Sequence, residues 1–245
     1  MKILFTNDDG ITAEGLIILE RIFSKYHETY IIAPDRERSA CSNIFTVRDE
    51  LTVTKISDRV FSVNGYPADC VSLALHSDLI PEIDLVISGI NHGPNLGDDV
   101  HFSGTVAGAR TAYIFGKPGI AFSIDSFHKA SPNMPEASEF LAEYIKDNPV
   151  TADTFLNINY PDIPFSEISG IEYTFLSKRY YRDTYIKSEV NPKEIRVSLN
   201  GHIDTDSKEG NDDYAIKNGY ISITPMTVDS TDYTKIRELA GKVRI

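Results

Sequence analysis

Met1-Lys-Ile-Leu-Phe-Thr-Asn-Asp-Asp-Gly10 opens the chain, and its reading decides the fold. Ile3, Leu4 and Phe5 form a short apolar run. Asn7, Asp8, Asp9 and Gly10 follow it directly, and an amphipathic helix pattern begins after them. An apolar run bounded by turn residues reads as a buried strand. In open α/β sheets, ligands sit just beyond the carboxyl ends of the strands. Asp8 and Asp9 stand at such an end. Two carboxylates held side by side resist joint ionisation, and a divalent cation relieves their repulsion. The pair is therefore a candidate metal site. Asp-Asp-Gly is equally an ordinary turn, and Asp an ordinary helix N-cap. What the other strand ends carry separates the two readings.

Further along, Thr29 to Ala33 reads as a second buried strand, stopped by Pro34. The polar loop Asp35 to Asn43 then brings Ser39, Ser42 and Asn43 as neutral oxygen donors, with Arg36 and Arg38 as cations. Alternation over 51–64 predicts an antiparallel hairpin turning near Ser57-Asp58. Pro67 to Leu79 predicts a helix, with Cys70 as a small core residue. Leu85 to Ile87 predicts a strand ended by Ser88-Gly89. The stretch Gly89 to Asp99 is too rich in Gly, Asn and Asp for a regular element, and its Asn91 and Asn95 offer amide oxygens. Ser103-Gly104-Thr105 opens a helix running to about Phe115. Unpartnered amides and the helix dipole make such a start a ready anion site, although a plain N-cap is the commoner use.

Strands over 119–123 and 155–160 flank a helix over 134–145. This βα alternation predicts a Rossmann-like, largely parallel, doubly wound sheet. Residues 1–165 form the expected core. Residues 166–245 form an extension: a polar, loop-rich arm over 166–218, a strand over 219–226 and a terminal helix over 232–241. The acidic residues Asp204, Asp206, Asp212 and Asp213 lack EF-hand spacing and read as solvated surface. An aromatic hairpin around 178–185 cannot order itself alone, so it is expected to reach another subunit.

Bulk properties narrow the function. The 245 residues are 41% hydrophobic and 24% charged, as in a globular protein with a sizeable core. A formal net charge of −12 disfavours duplex nucleic acid. The two cysteines make neither a disulfide framework nor a zinc pattern. No apolar run approaches the ~18 residues of a membrane span, and no leader-like segment is seen. These features predict a cytoplasmic protein.

Each polar cluster thus falls at a strand end, and in a parallel sheet those ends converge. The donors are carboxylates, hydroxyls and amide oxygens, which suit Mg²⁺ or Mn²⁺ rather than structural zinc. A hard cation beside an anion-binding helix start points to phosphoester chemistry.

Six stretches carry a resemblance: Thr6 to Gly10, Ala33 to Ser39, Pro67 to Cys70, Ser88 to Asp99, Ser103 to Val106 and Gly219 to Pro225. Together, in this order, they resemble the SurE (survival protein E) family of metal-dependent nucleotidases. The resemblance implies metal ligation by Asp8, Asp9, Ser39 and Asn91. It implies phosphate contacts from Asn43, Asn95, Ser103, Gly104 and Thr105. Release of phosphate from nucleoside 5′- or 3′-monophosphates is the implied activity, with one Mg²⁺ or Mn²⁺ per subunit. A dimer or tetramer built by exchange of the C-terminal arm is implied as well. Ala40-Cys41 departs from the Gly and small residue that many members carry there.

Two other readings stay open on the residues alone. An aspartyl-phosphate phosphatase would use Asp8 as nucleophile, but such enzymes place a second Asp two residues on, where this chain has Gly10. A receiver-like signalling domain also carries an acidic pair after its first strand, but is about half as long.

Overall fold

The opening apolar run forms strand β1 (Lys2–Thr6), with Ile3, Leu4 and Phe5 fully buried. The computed structural model describes residues 1–128, 130–191 and 193–240. After β1 come α1 (Glu14–Phe23), β2 (Glu28–Pro34), the hairpin β3 (Val53–Ser57) and β4 (Val60–Val63), and α2 (Pro67–His76). β5 (Leu85–His92), α3 (Gly104–Ile114), β6 (Gly119–Ile124), α4 (Met134–Asp147) and β7 (Phe155–Tyr160) follow. Beyond them lie β8 (Gly170–Tyr173), β9 (Lys178–Tyr181), β10 (Thr184–Asn191), β11 (Glu194–Asn200) and β12 (Ile203–Asp206). α5 (Asp212–Lys217), β13 (Tyr220–Met226) and α6 (Tyr233–Ala240) end the described chain.

Among the described residues, nine strands make one sheet in the order β3-β4-β2-β1-β5-β6-β7-β13-β8. From β4 through β7 the pairings are parallel; β3 and β13 run antiparallel to β4 and β7. Side chains alternate across a strand. Ile3 and Phe5 therefore pack with Leu16, Leu19 and Leu141 beneath α1 and α4, and Leu4 packs with Cys70, Val71 and Ala112 beneath α2 and α3. Helices on both faces bury the central strands, which is why these are apolar runs rather than alternating ones. The sheet is Rossmann-like and doubly wound, as the βα alternation predicts. β2 and β5 flank β1 on opposite sides, so the switch of direction lies where β1 and β5 end.

The C-terminal stretch corrects the sequence reading. Residues 166–218 are not mainly loop: they hold β8 to β12 and α5. Most of those strands are short and exposed, so no buried period marks them. Nor is the acidic stretch all solvated surface. Asp212 is fully buried and accepts hydrogen bonds from the amides of Gly97 (2.7 Å), Ser177 (2.8 Å) and Asp213 (2.8 Å). It thereby ties the loop after β5 to the root of the arm. Asp213 is buried as well, with Lys217 Nζ 2.7 Å from its carboxylate. β9 pairs with β12, and β10 with β11 in a hairpin that joins no other strand among the described residues. We propose 1–165 as the core and 166–245 as an appendage that returns to it through β8 and β13. Residues 241–245, including the last residue of the expected terminal helix, lie outside the described ones.

Candidate active site

β5 does not stop at Ser88-Gly89 but runs on to His92. Its pairing with β6 slips there: Ser88 faces Ala121, and Asn91 faces Ser123. The extra residue makes a bulge, a device that re-aims side chains beside sites. Gly89 makes it possible. It holds φ +146°, and a Cβ there would collide with the Phe122 carbonyl oxygen. The result brings Asn91 beside the end of β1.

Asn91 is oriented by its own amide. Nδ2 donates to the Gly93 carbonyl at 2.7 Å, which leaves Oδ1 facing Thr105, whose Oγ1 is 3.3 Å away. The Thr105 hydroxyl also makes a short hydrogen bond to Asp8 Oδ1. One hydroxyl at the start of α3 thus joins the ends of β1 and β5. The helix comes this close because residue 104 is glycine. A Cβ there would lie 2.6 Å from Cys41 Sγ and 2.8 Å from Asp8 Oδ2. Burial pushes the Cys41 thiol up to about 11, so it stays protonated.

Both carboxylates resist ionisation. Burial raises Asp8, against the Thr105 hydroxyl and the amides of Thr105 and Gly104, which favour its charge. Asp9 is pushed up to about 6, first by burial and then by Asp8. His92 Nδ1, 3.0 Å from Asp9 Oδ1, holds it back. Asp9 Oδ2 is buried and accepts no hydrogen bond among the described residues. His92 reads from sequence as an ordinary structural histidine, and its pairing with Asp9 has no sequence signature.

The loop after β2 is strapped to the same place. Arg38 N donates to the Asp8 carbonyl at 2.6 Å. Ser42 donates from its amide to the Phe102 carbonyl (2.8 Å) and from its hydroxyl to that of His101 (2.7 Å). Ser39, donating to Glu37 Oε1 at 3.1 Å, lines the same cavity as Asp8 and Asn91. Arg38 does not serve the site as a free cation. Its guanidinium binds Asp35 and the Asn64 carbonyl and lies over the Tyr66 ring, 5.1 Å from its centroid. Asn43 also stands apart: it donates to Thr111 Oγ1 at 3.4 Å, further along α3, and does not line the cavity.

Asn95 is nearly buried in a frame of amides. Its N–H donates to Asn159 Oδ1 (2.8 Å) and its Nδ2 to Ser123 Oγ (2.8 Å). Its carbonyl accepts from Asn157 (2.8 Å) and Asn159 (3.1 Å). No sequence motif marks Asn157 and Asn159. The signal for them is present, since amides at alternate positions of a buried strand demand partners. Ser103 caps α3 by accepting from Val106 N at 3.0 Å, which leaves its proton free to donate. Asp8, Ser39, Asn91, Asn95 and Ser103 together line a cavity of about 250 Å³.

Among the described residues, no three acidic, His or Cys side chains cluster as a metal shell. The Asp8 carboxylate, the Ser39 hydroxyl and the Asn91 amide oxygen face this cavity; the Asp9 carboxylate, next in the chain, lines the neighbouring cavity with Glu37 and His92. That set fits a hard, oxygen-seeking cation. The unmatched Asp9 oxygen and the two raised carboxylates are what such an ion would satisfy.

The family model for survival protein SurE matches residues 3–183. This chain belongs to the SurE family. A 5′-nucleotidase SurE of Leptospira interrogans is 40% identical, covering 99% of this chain and 98% of its own. The SurE of Heliobacterium modesticaldum, also named a 5′-nucleotidase, is 42% identical over 98% of this chain and 91% of its own. The crystal structure of the SurE protein from Aquifex aeolicus has a TM-score of 0.83 at 33% identity and covers 99% of both chains. The likeness to SurE therefore extends beyond the site motifs to the C-terminal extension.

In the unfolded chain Asp9 titrates at its ordinary 3.8, and in the fold at about 6. Between these values the folded state holds the proton more tightly, so stability present at low pH is lost as pH rises through 6. Asp9→Asn is expected to raise the Tm of chelator-treated protein by roughly 2–4 °C at pH 7.5 and by less at pH 5. A lower Tm for the variant at pH 7.5 would contradict the burial of an unneutralised charge.

Proposed function

We propose that this chain is a metal-dependent phosphomonoesterase that releases phosphate from nucleoside 5′-monophosphates, and from 3′-monophosphates. The observation that carries the reading is the Thr105 hydroxyl, which joins Asp8 and Asn91 at the mouth of a helix. Asp8, Asp9, Ser39 and Asn91 would hold one Mg²⁺ or Mn²⁺ per subunit. When bound, that ion supplies charge neutralisation and Lewis acidity toward water and phosphoryl oxygens. One of the two carboxylates, Asp8 or Asp9, would also orient the attacking water and accept its proton. Ser103 donates its hydroxyl to the phosphate and Asn95 adds its amide; the Gly104 and Thr105 amides already face Asp8, so residues 104 and 105 would act on the phosphate through the positive end of the α3 dipole. Asn43 joins these contacts only by leaving Thr111.

The names of the full-length relatives support a hydrolase over a receiver-like domain. No helix among the described residues is long and apolar enough to cross a membrane. Cys41 and Cys70 are free, which agrees with a cytoplasmic site of action. The net charge of −12 argues against duplex nucleic acid as partner. A second copy of the chain is the partner proposed. The hairpin of β10 and β11 exposes Tyr185, Ile186, Val197 and Leu199, and a lone hairpin is marginal in water. We assign it to arm exchange in a homodimer or homotetramer.

The test is phosphate release from a panel of nucleotides, with Mn²⁺ or Mg²⁺ and with chelator. Release is expected to need the ion and to fall on the order of 10³-fold in Asp8→Asn, the several kcal/mol that ion-held charge supplies. Activity indifferent to chelator and to that substitution would overturn the reading. Phosphate trapped on Asp8 after acid quench would favour the aspartyl-phosphate route instead. In sedimentation the intact chain should run as a dimer or tetramer; a monomer would refute arm exchange.

A further inference from the structure

Phe102 is the large apolar side chain at the rim of the site. It immediately precedes Ser103, lines the cavity shared by Asp8, Asn91 and Asn95, and is 55% exposed. Its backbone is fixed: the carbonyl accepts from Ser42 N, and its own N–H donates to the Asp99 carbonyl at 2.9 Å. Its ring is backed by another. Tyr181 stands edge-on to it, with centroids 5.9 Å apart and planes at 84°. Tyr181 is held in turn, its hydroxyl donating to Asp99 Oδ1 at 2.8 Å. Arg179, on the same strand, pairs with Asp99 Oδ2 at 2.6 Å and donates to the Leu96 carbonyl at 3.2 Å. The Phe102 ring is thus placed at the cavity mouth against one partner ring, with more than half of the residue exposed to solvent. The 3₁₀ turn Gly97–His101 and the root of the arm hold it there.

A cavity of about 250 Å³ lies below the roughly 300–1,000 Å³ of sites that enclose drug-sized ligands. A cavity of that size does not enclose a whole nucleotide. An exposed ring backed edge-to-face by another is suited to receive a flat π-system on its free side. Phe127, the most exposed phenylalanine (82%), packs against Gly93 and does not line this cavity.

We propose that the open face of Phe102, buttressed by Tyr181, is the stacking platform for the nucleobase of a nucleoside monophosphate whose phosphate lies at Ser103. The inference rests on the phosphomonoesterase reading of the same site. It makes the root of the arm part of substrate recognition, and it gives purines an advantage over pyrimidines through their larger stacking area.

Steady-state hydrolysis of a purine nucleoside 5′-monophosphate and of ribose 5-phosphate, which lacks only the base, tests it. Phe102→Ala is expected to raise KM for the nucleotide about ten-fold, the loss of one base–aromatic contact, with kcat little changed. KM for ribose 5-phosphate should not move. Phe102→Tyr should restore the nucleotide KM, and Phe127→Ala should leave it unaltered. An unchanged nucleotide KM in Phe102→Ala, or an equal loss on both substrates, overturns the platform while leaving the esterase reading intact. Failure of the unsubstituted chain to hydrolyse either substrate defeats the esterase reading, and the platform with it.

Discussion

Two adjacent carboxylates are held out of water at the end of the central strand, and the rest of the site answers that constraint. Asp8 is nearly buried and Asp9 has an oxygen with no hydrogen bond among the described residues. Burial of like charges costs free energy unless something compensates it. Partial compensation is visible: the Thr105 hydroxyl and the first amides of α3 for Asp8, and His92 for Asp9. Both pKa values remain raised, so the arrangement is left hungry for positive charge. A protein that keeps such a pair at a sheet's switch point spends stability on binding, and active sites are where that exchange is common.

The supporting structure is built to hold neutral oxygens around the pair. A bulge in β5 re-aims Asn91, and the bond from its Nδ2 to the Gly93 carbonyl decides which end of the amide faces inward. The glycine at 104 lets the positive end of α3 approach Asp8 directly. Asn157, Asn159 and Ser123 position Asn95 from beneath. Asp212 reaches from the extension to the Gly97 amide, and Arg179 to Asp99. The extension is therefore fastened to the loop after β5 that carries candidate site residues, and not only to the sheet edge. A change at the arm's root has a physical route to the site through these contacts.

Much of this was legible in the amino-acid order. Continuous apolar runs such as Ile3-Leu4-Phe5 declare strands buried on both faces, and polar residues directly after them declare a site. The strands of the arm were hidden because they are short and largely exposed, so neither burial nor alternation marks them. Residues Asp212 and Asp213 resembled solvated acids because a buried carboxylate that caps backbone amides differs from a surface one only in its three-dimensional partners. The pairing of His92 with Asp9 and the turn of Asn43 toward Thr111 are likewise products of packing. A bulge such as the one at Gly89 is signalled by its glycine alone, which reads first as a strand terminator.

The central claim is that Asp8, Asp9, Ser39 and Asn91 share one cation. Titration of the intact chain with Mn²⁺, followed by electron paramagnetic resonance, measures this without reference to turnover. The account predicts one ion per chain, with affinity weakened at least about ten-fold by Asn91→Leu and by Ser39→Ala, and unchanged by Asn43→Ala. Manganese bound equally well by the Asn91 and Ser39 variants would contradict it.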